Sequence, residues 1–316
     1  MLKQLKDLSC RIYYFNIAFF AAVMFGLTLA THKLEAVYFL GTHISHYLLY
    51  FTLAFFAITS FLYMLKIFKN FTEVKVDFFH SVRSNFFPGI KILLLFSIGF
   101  LSIDIYIATI LWIVVILQFL FTVIIFRRWM LHEIDIKEMN PLWFLPIVGN
   151  LLVPVAIQLF SELSLFFFSI GIIMWAIFFV IIMNRIIFHH PLSSKIYPTL
   201  IILIAPPAVA LISLTNLYSG ELLFVSKILY YFSLFMFIVL LTKINIFAKL
   251  KFYMSWWAYS FPIAVLTTAT LLFYDKTHIV YIKYLSIILY FLLIVIVFIL
   301  LYKTIVITKK TLCIEE

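Results

Sequence analysis

Long apolar runs dominate the chain, broken by short charged stretches, with little of the regular polar-apolar alternation of a water-facing helix or strand. Reading the gaps between charges gives ten windows, at about 12–32, 43–65, 84–103, 105–126, 142–161, 163–184, 198–217, 222–242, 253–274 and 284–302. A helix needs about 20 apolar residues to cross ~30 Å of hydrocarbon at ~1.5 Å per residue, and each window meets that need. Lys91 interrupts the third window, and Lys227 near the start of the eighth can reach the interface along its apolar stem. Strands of a membrane barrel would read as alternating segments of about ten residues, whereas these windows are solidly apolar. The pattern predicts an all-α integral membrane protein, with residues 1–316 as a single transmembrane domain. Lys3, Lys6 and Arg11 precede the first window as in a signal peptide. Its apolar stretch is too long for one, and no small-residue cleavage site follows, so it reads as a retained first span.

Composition removes the reading that 316 residues would otherwise invite, two ordinary soluble domains. Sixty-six per cent of the residues are hydrophobic and 11% are charged, against about 45–50% and about 25% in soluble chains. Cys10 and Cys313 lie near opposite ends and suggest neither a disulfide framework nor a metal cluster.

With ten spans the connections alternate between two sides of the membrane. One side receives 19 of the 23 Lys and Arg and the other receives Lys33, Lys227, Lys276 and Lys283. The positive-inside rule then puts both termini in the cytoplasm. Most of the net charge of +10 is thereby topology, and nucleic acid is not an expected partner.

Short outer connections and longer, charged inner ones divide the chain into five helical hairpins. The prolines mark only the outward-running, odd-numbered spans and their approaches: Pro88, Pro146, Pro206 and Pro262 recur every 56–60 residues, the hairpin length. A proline inside a helix removes a backbone bond and frees carbonyls that lipid cannot satisfy, so such bends belong in protein or along a water-filled path. The simplest arrangement is an inner ring of five kinked odd helices around a central pore, with five straighter even helices outside.

No Asp or Glu falls within the odd spans, and Lys91 is their one charge. Intramembrane charge usually marks an ion path or a proton relay, so a proton-driven carrier would be expected to show a buried carboxylate or histidine. The polar residues there are neutral and sparse, with Asn16, Asn150, Ser260 and Thr268 among them. Weak dipoles between apolar walls favour conduction over tight binding, and basic residues at the inner mouth raise the local anion concentration. Lys91 either adds to that charge or snorkels to the inner interface. His43 and His46 share a helical face by spacing, but without a third ligand no metal is expected. HExxH and GxSxG are both missing, as is any acidic pair within the spans, so neither an enzyme nor a cofactor is expected.

Four segments carry a family resemblance: HSVRSNFFP (80–88), NPLWFLPIVGN (140–150), IYPTLIILIAPPAVALIS (196–213) and WWAYSFP (256–262). In order and spacing they resemble the tellurite-resistance/dicarboxylate transporter family, whose members include bacterial TehA-type proteins and the slow anion channels of plant guard cells. The resemblance implies a homotrimer in the bacterial inner membrane, with a pore in each protomer along a quasi-fivefold axis of odd helices. It places a gating phenylalanine in span nine, at Phe261, and implies selectivity set by size and dehydration. Pore-lining candidates are then Asn16, Phe20, Pro146, Asn150, Pro206, Ser260 and Thr268, with Lys91 and Arg83 as positive charge at the inner mouth. Span one departs from the pattern, since Asn16, Ala18 and Phe20 stand where Gly, Pro and Gly are expected.

The leading expectation is a gated channel for small anions of the chloride or nitrate kind. The alternative is a proton-coupled carrier or exporter of C4-dicarboxylates, sulfite or tellurite-like oxyanions. The topology has its own test. A membrane-impermeant maleimide should leave Cys10 and Cys313 unlabelled in intact cells and label both once the membrane is opened. Labelling of either in intact cells would contradict cytoplasmic termini.

Overall fold

Apolar stretches this long bury no backbone polar group in lipid only if they are helical, and the computed structural model is built that way. It describes residues 25–69, 72, 105–131, 133–157, 161–218 and 220–313, with no strand among them. The helices are α1 (25–38), α2 (Ile44–Lys69), α3 (Ile105–Leu131), α4 (Phe144–Ala156), α5 (Ser161–Phe188), α6 (Ala205–Leu217), α7 (Phe224–Leu241), the short α8 (Ile244–Lys249), α9 (Ser260–Thr277) and α10 (Val280–Cys313). The third predicted span, 84–103, lies outside the described residues. Among those described, six helices are long and apolar enough to cross a membrane, and Ile44–Ala54 and Pro141–Ala156 are shorter apolar helices. The chain is a multi-pass membrane protein.

Burial sorts these helices into two classes. In the apolar windows of Tyr197–Leu217 and Ser255–Thr277, 89% and 83% of residues are buried, against 28–39% in those of α3, α5, α7 and α10. Helix α4 belongs with the first class, because every residue from Pro146 to Pro154 is buried. On α10, Leu289, Leu293, Val297 and Leu300 face the protein while Tyr284, Ile288, Phe291 and Phe298 stay exposed. That is the helical periodicity of one packed face and one lipid-facing face, hidden in a sequence apolar all round.

Each buried helix is covered by the long helix that follows it: α5 lies on α4, α7 on α6 and α10 on α9. The buried helices also touch one another, with α6 packed against both α4 and α9. Helix α1 joins this group through its C-terminal half, where Lys33 pairs with Asp275 of α9 at 3.0 Å and Thr31 bonds Tyr290 of α10 at 3.0 Å. Glu35 fixes the turn into α2, accepting from Thr42 Oγ1 at 2.7 Å, Ile44 N at 2.6 Å and Ser45 Oγ at 2.5 Å. Burial pushes its carboxyl up, but the bonds from Ser45, Thr42 and the Ile44 and Ser45 N–H groups outweigh that and hold it below its ordinary range.

Aromatic stacking fastens the other end. Trp129 of α3 stacks on Trp143 at 4.9 Å, and Phe178 of α5 closes on Trp129 at 4.6 Å. At the same end as the Lys33–Asp275 pair, Tyr230 of α7 stacks on Phe273 of α9 at 4.2 Å.

Helices in lipid gain little from apolar burial against one another, so close packing at small residues does more of the work. Gly171 of α5 illustrates it. A Cβ there would stand 2.7 Å from Leu151 Cγ and 3.1 Å from the Leu151 backbone nitrogen on α4. Overpacking of this kind costs about 1–3 kcal/mol. Gly171→Val should therefore lower the melting temperature of the purified protein in detergent, while Gly41→Ala, which meets nothing within 4 Å, should leave it unchanged. Equal melting of Gly171→Val and the wild type would contradict this α4–α5 interface.

Candidate functional site

The three buried helices share one local design. Each α-helix continues directly from a 3-10 segment: Pro141–Trp143 leads into α4, Tyr197–Ile204 into α6, and Met254–Tyr259 into α9. Pro146 is the third residue of α4, Pro206 and Pro207 are the second and third of α6, and Pro262 is the third of α9. The repeated prolines thus occupy the first turn of an α-helix, where a missing N–H is tolerated, and not a mid-helix kink. In this class only Pro154, near the end of α4, sits deeper.

Carbonyls near the junctions find other donors. Ile202 O, four residues before Pro206, takes the Ala205 N–H. Ile204 O also accepts from Ser233 Oγ of α7 at 2.9 Å. Trp257 O takes the Ser260 N–H together with Ser260 Oγ at 2.7 Å. Ser213 of α6 donates to Leu151 O of α4, and Ser255 Oγ donates to Lys195 O at 2.5 Å. Each such bond removes an unpaired polar group and ties two segments together.

Phe261 is the second residue of α9. Ser260 and every residue from Pro262 to Phe273 are buried, whereas Phe261 keeps part of its surface accessible. Its ring lies against α1: a Cβ built on Gly26 would be 3.8 Å from Phe261 Cδ2. The hydroxyls beyond it are spent within α9, with Thr267 donating to Ile263 O at 2.7 Å, Thr268 to Ala264 O at 2.9 Å and Thr270 to Leu266 O at 2.8 Å. A hydroxyl whose proton is committed to its own helix presents acceptor lone pairs, not a donor, and so forms no strong anion site.

Asn150 is fully buried and faces α3. Its Nδ2 donates to Pro146 O at 3.0 Å, and its Oδ1 accepts from Thr122 at 3.2 Å. Gln118 Nε2 reaches Pro146 O at 3.3 Å across Gly149, whose missing side chain leaves room for the amide. The polar groups of Asn150 therefore bind two helices together. Pro146 and Pro206 are buried at their junctions, and Ser260 and Thr268 are buried on α9. Asn16, Phe20, Arg83 and Lys91 lie outside the described residues. The rings of His43 and His46 are 5.7 Å apart, and among the described residues no three acidic, His or Cys side chains gather as metal ligands.

Sequence reading missed Gln118, Ser233 and Gly26, and took Ser213 only as one of the sparse polar residues of span seven. The three polar residues sit singly in apolar helices, and nothing in the sequence says which backbone carbonyl each one meets. Gly26 had a signal, being the one glycine of its window.

The uncharged, proline-marked buried helices include three of the segments that carry the family resemblance, 140–150, 196–213 and 256–262. A family model described as voltage-dependent anion channel (SLAC1) matches residues 14–305. The chain belongs to this family. Among similar proteins of the family is the S-type anion channel SLAH2 of Arabidopsis thaliana, 32% identical over 270 residues, which are 83% of this chain and 51% of the plant protein. The guard cell S-type anion channel SLAC1 of the same plant is 28% identical over 226 residues, 67% of this chain and 40% of its own. The uncharacterized transporter MJ0762 of Methanocaldococcus jannaschii is 28% identical over 290 residues, 82% of this chain and 85% of its own. The chain spans about half the length or less of these plant channels and most of the archaeal protein. Membership places it among channels and transporters, not in an enzyme family.

Proposed function

We propose that the protein is a passive, gated channel for small inorganic anions. In this reading ten spans form five hairpins, the five odd spans surround a pore, and Phe261 closes it. The protomers assemble as a homotrimer in the bacterial inner membrane, with the charge-rich side and both termini in the cytoplasm. The observation that carries the proposal is Phe261, partly accessible at the second residue of α9 between buried Ser260 and the buried, uncharged run from Pro262 to Phe273. A partly accessible side chain flanked by buried residues on its own helix needs open space beside it, and the sequence around it is uncharged.

The S-type anion channels among the relatives support anions as the permeant class. Selectivity follows from size and dehydration, because the hydroxyls of α9 are committed to their own carbonyls and no described charge stands on α4, α6 or the buried part of α9. An anion meeting only weak dipoles leaves as readily as it enters, which is the condition for conduction.

A second reading, a proton-coupled carrier of dicarboxylates, sulfite or tellurite-like oxyanions, draws on the archaeal relative, which is described as a transporter. Such a carrier needs a titratable group at membrane depth, and none stands in the buried helices α4 and α6.

Recordings from purified protein in planar bilayers separate these readings. Phe261→Ala should raise the chloride or nitrate conductance several-fold while the protein keeps its elution volume and melting temperature. Unchanged conductance across several anions would remove the gate from Phe261. Saturable uptake driven by a pH gradient would favour the carrier.

A further inference from the structure

Helix α1 reaches α9 at one point where neither helix has a side chain to spare. A Cβ built on Gly26 would stand 2.8 Å from Ala264 Cβ and 3.8 Å from both Cα and Cδ2 of Phe261. Unbonded carbons rest at about 3.5–4.0 Å, so the two helices approach this closely only because residue 26 ends at its Cα. The surroundings cannot absorb an extra atom, since Phe25 and Ala264 are each 1% exposed. Ala264 follows Phe261 by three residues and so lies on the same face of α9, one turn further along. Gly26 therefore sits over both the fixed methyl of Ala264 and the partly accessible ring of Phe261.

We propose that Gly26 is a positioning residue for the gate: the side chain it lacks sets the spacing between α1 and α9, and that spacing holds the Phe261 ring in its occluding position. This inference rests on Phe261 being the gate. A methyl group at residue 26 drives α1 away from Ala264 and removes the wall against which the ring rests. Its effect on conduction is then transmitted through Phe261 and through no other residue.

Conductance of four purified variants in planar bilayers tests this, with elution volume and melting temperature recorded for each. Gly26→Ala should raise anion conductance several-fold, towards that of Phe261→Ala. Removing the opposing methyl in Gly26→Ala/Ala264→Gly should bring it back towards the wild type. In Gly26→Ala/Phe261→Ala the conductance should equal that of Phe261→Ala alone. Should Gly26→Ala not fold, Ala264→Ser enlarges the same contact from the α9 side and should act in the same direction. Wild-type conductance in the first folded variant of this pair overturns the inference, and so does a further change in the Phe261→Ala background, because both leave Phe261 out of the effect. If Phe261→Ala itself leaves conductance unchanged, the gate reading fails first and is recognised separately.

Discussion

A proline nitrogen has no proton to donate, and hydrocarbon offers no water to replace it. The placement of proline in the buried helices follows from that constraint. Proline falls in the first turn of α4, α6 and α9, and each of these helices is entered through a 3-10 segment. Ile202 O, the carbonyl four residues before Pro206, takes the Ala205 N–H of its own segment, while other carbonyls near the junctions accept from neighbouring helices, as Ile204 O does from Ser233 and Pro146 O does from Gln118. Placement in the first turn disposes of the missing proton, and side-chain bonds to other carbonyls tie the helices together. The interior is consequently built from many single polar bonds between apolar helices, each worth on the order of 1 kcal/mol, and from close approach at glycine.

Charge is arranged by the same economy. The buried helices keep it out of the interior, while the C-terminal half of α1 is tied to α9 by the Lys33–Asp275 pair. A charge left unpaired at membrane depth would cost at least ~2.5–3.5 kcal/mol. A path through such an interior attracts an ion weakly and holds it weakly. What limits passage is then width and the loss of hydration water, which makes a single aromatic ring and its seat matter more than any binding residue.

Much of this architecture was legible in the chain, because charges and prolines are scarce and each one is informative. The gaps between charges outlined the helices, and six of those described are long enough to cross a membrane. The register of Pro146, Pro206 and Pro262 picked out the helices that the structure buries most deeply. The local meaning of that register was not legible, since proline in the first turn of an α-helix and proline at a mid-helix bend look alike in a sequence. Asn150 stood out because it is polar within an apolar span, but the bond by which its amide joins α4 to α3 through Thr122 was not legible. Partner choice of this kind depends on which helix lies opposite, and an all-apolar surface gives no periodicity from which to read it. The contact between Gly26 and Ala264 was hidden for the same reason, as one small residue among apolar neighbours.

Reversal potentials of the purified protein in a planar bilayer test the passive anion path most directly. With a chloride gradient across the membrane, and impermeant cations and anions making up the balance, the current should reverse at the chloride equilibrium potential. The reversal point should stay there when a pH gradient is imposed in either direction. A reversal potential that follows the cation gradient, or one that shifts with the pH gradient, would contradict passive anion conduction.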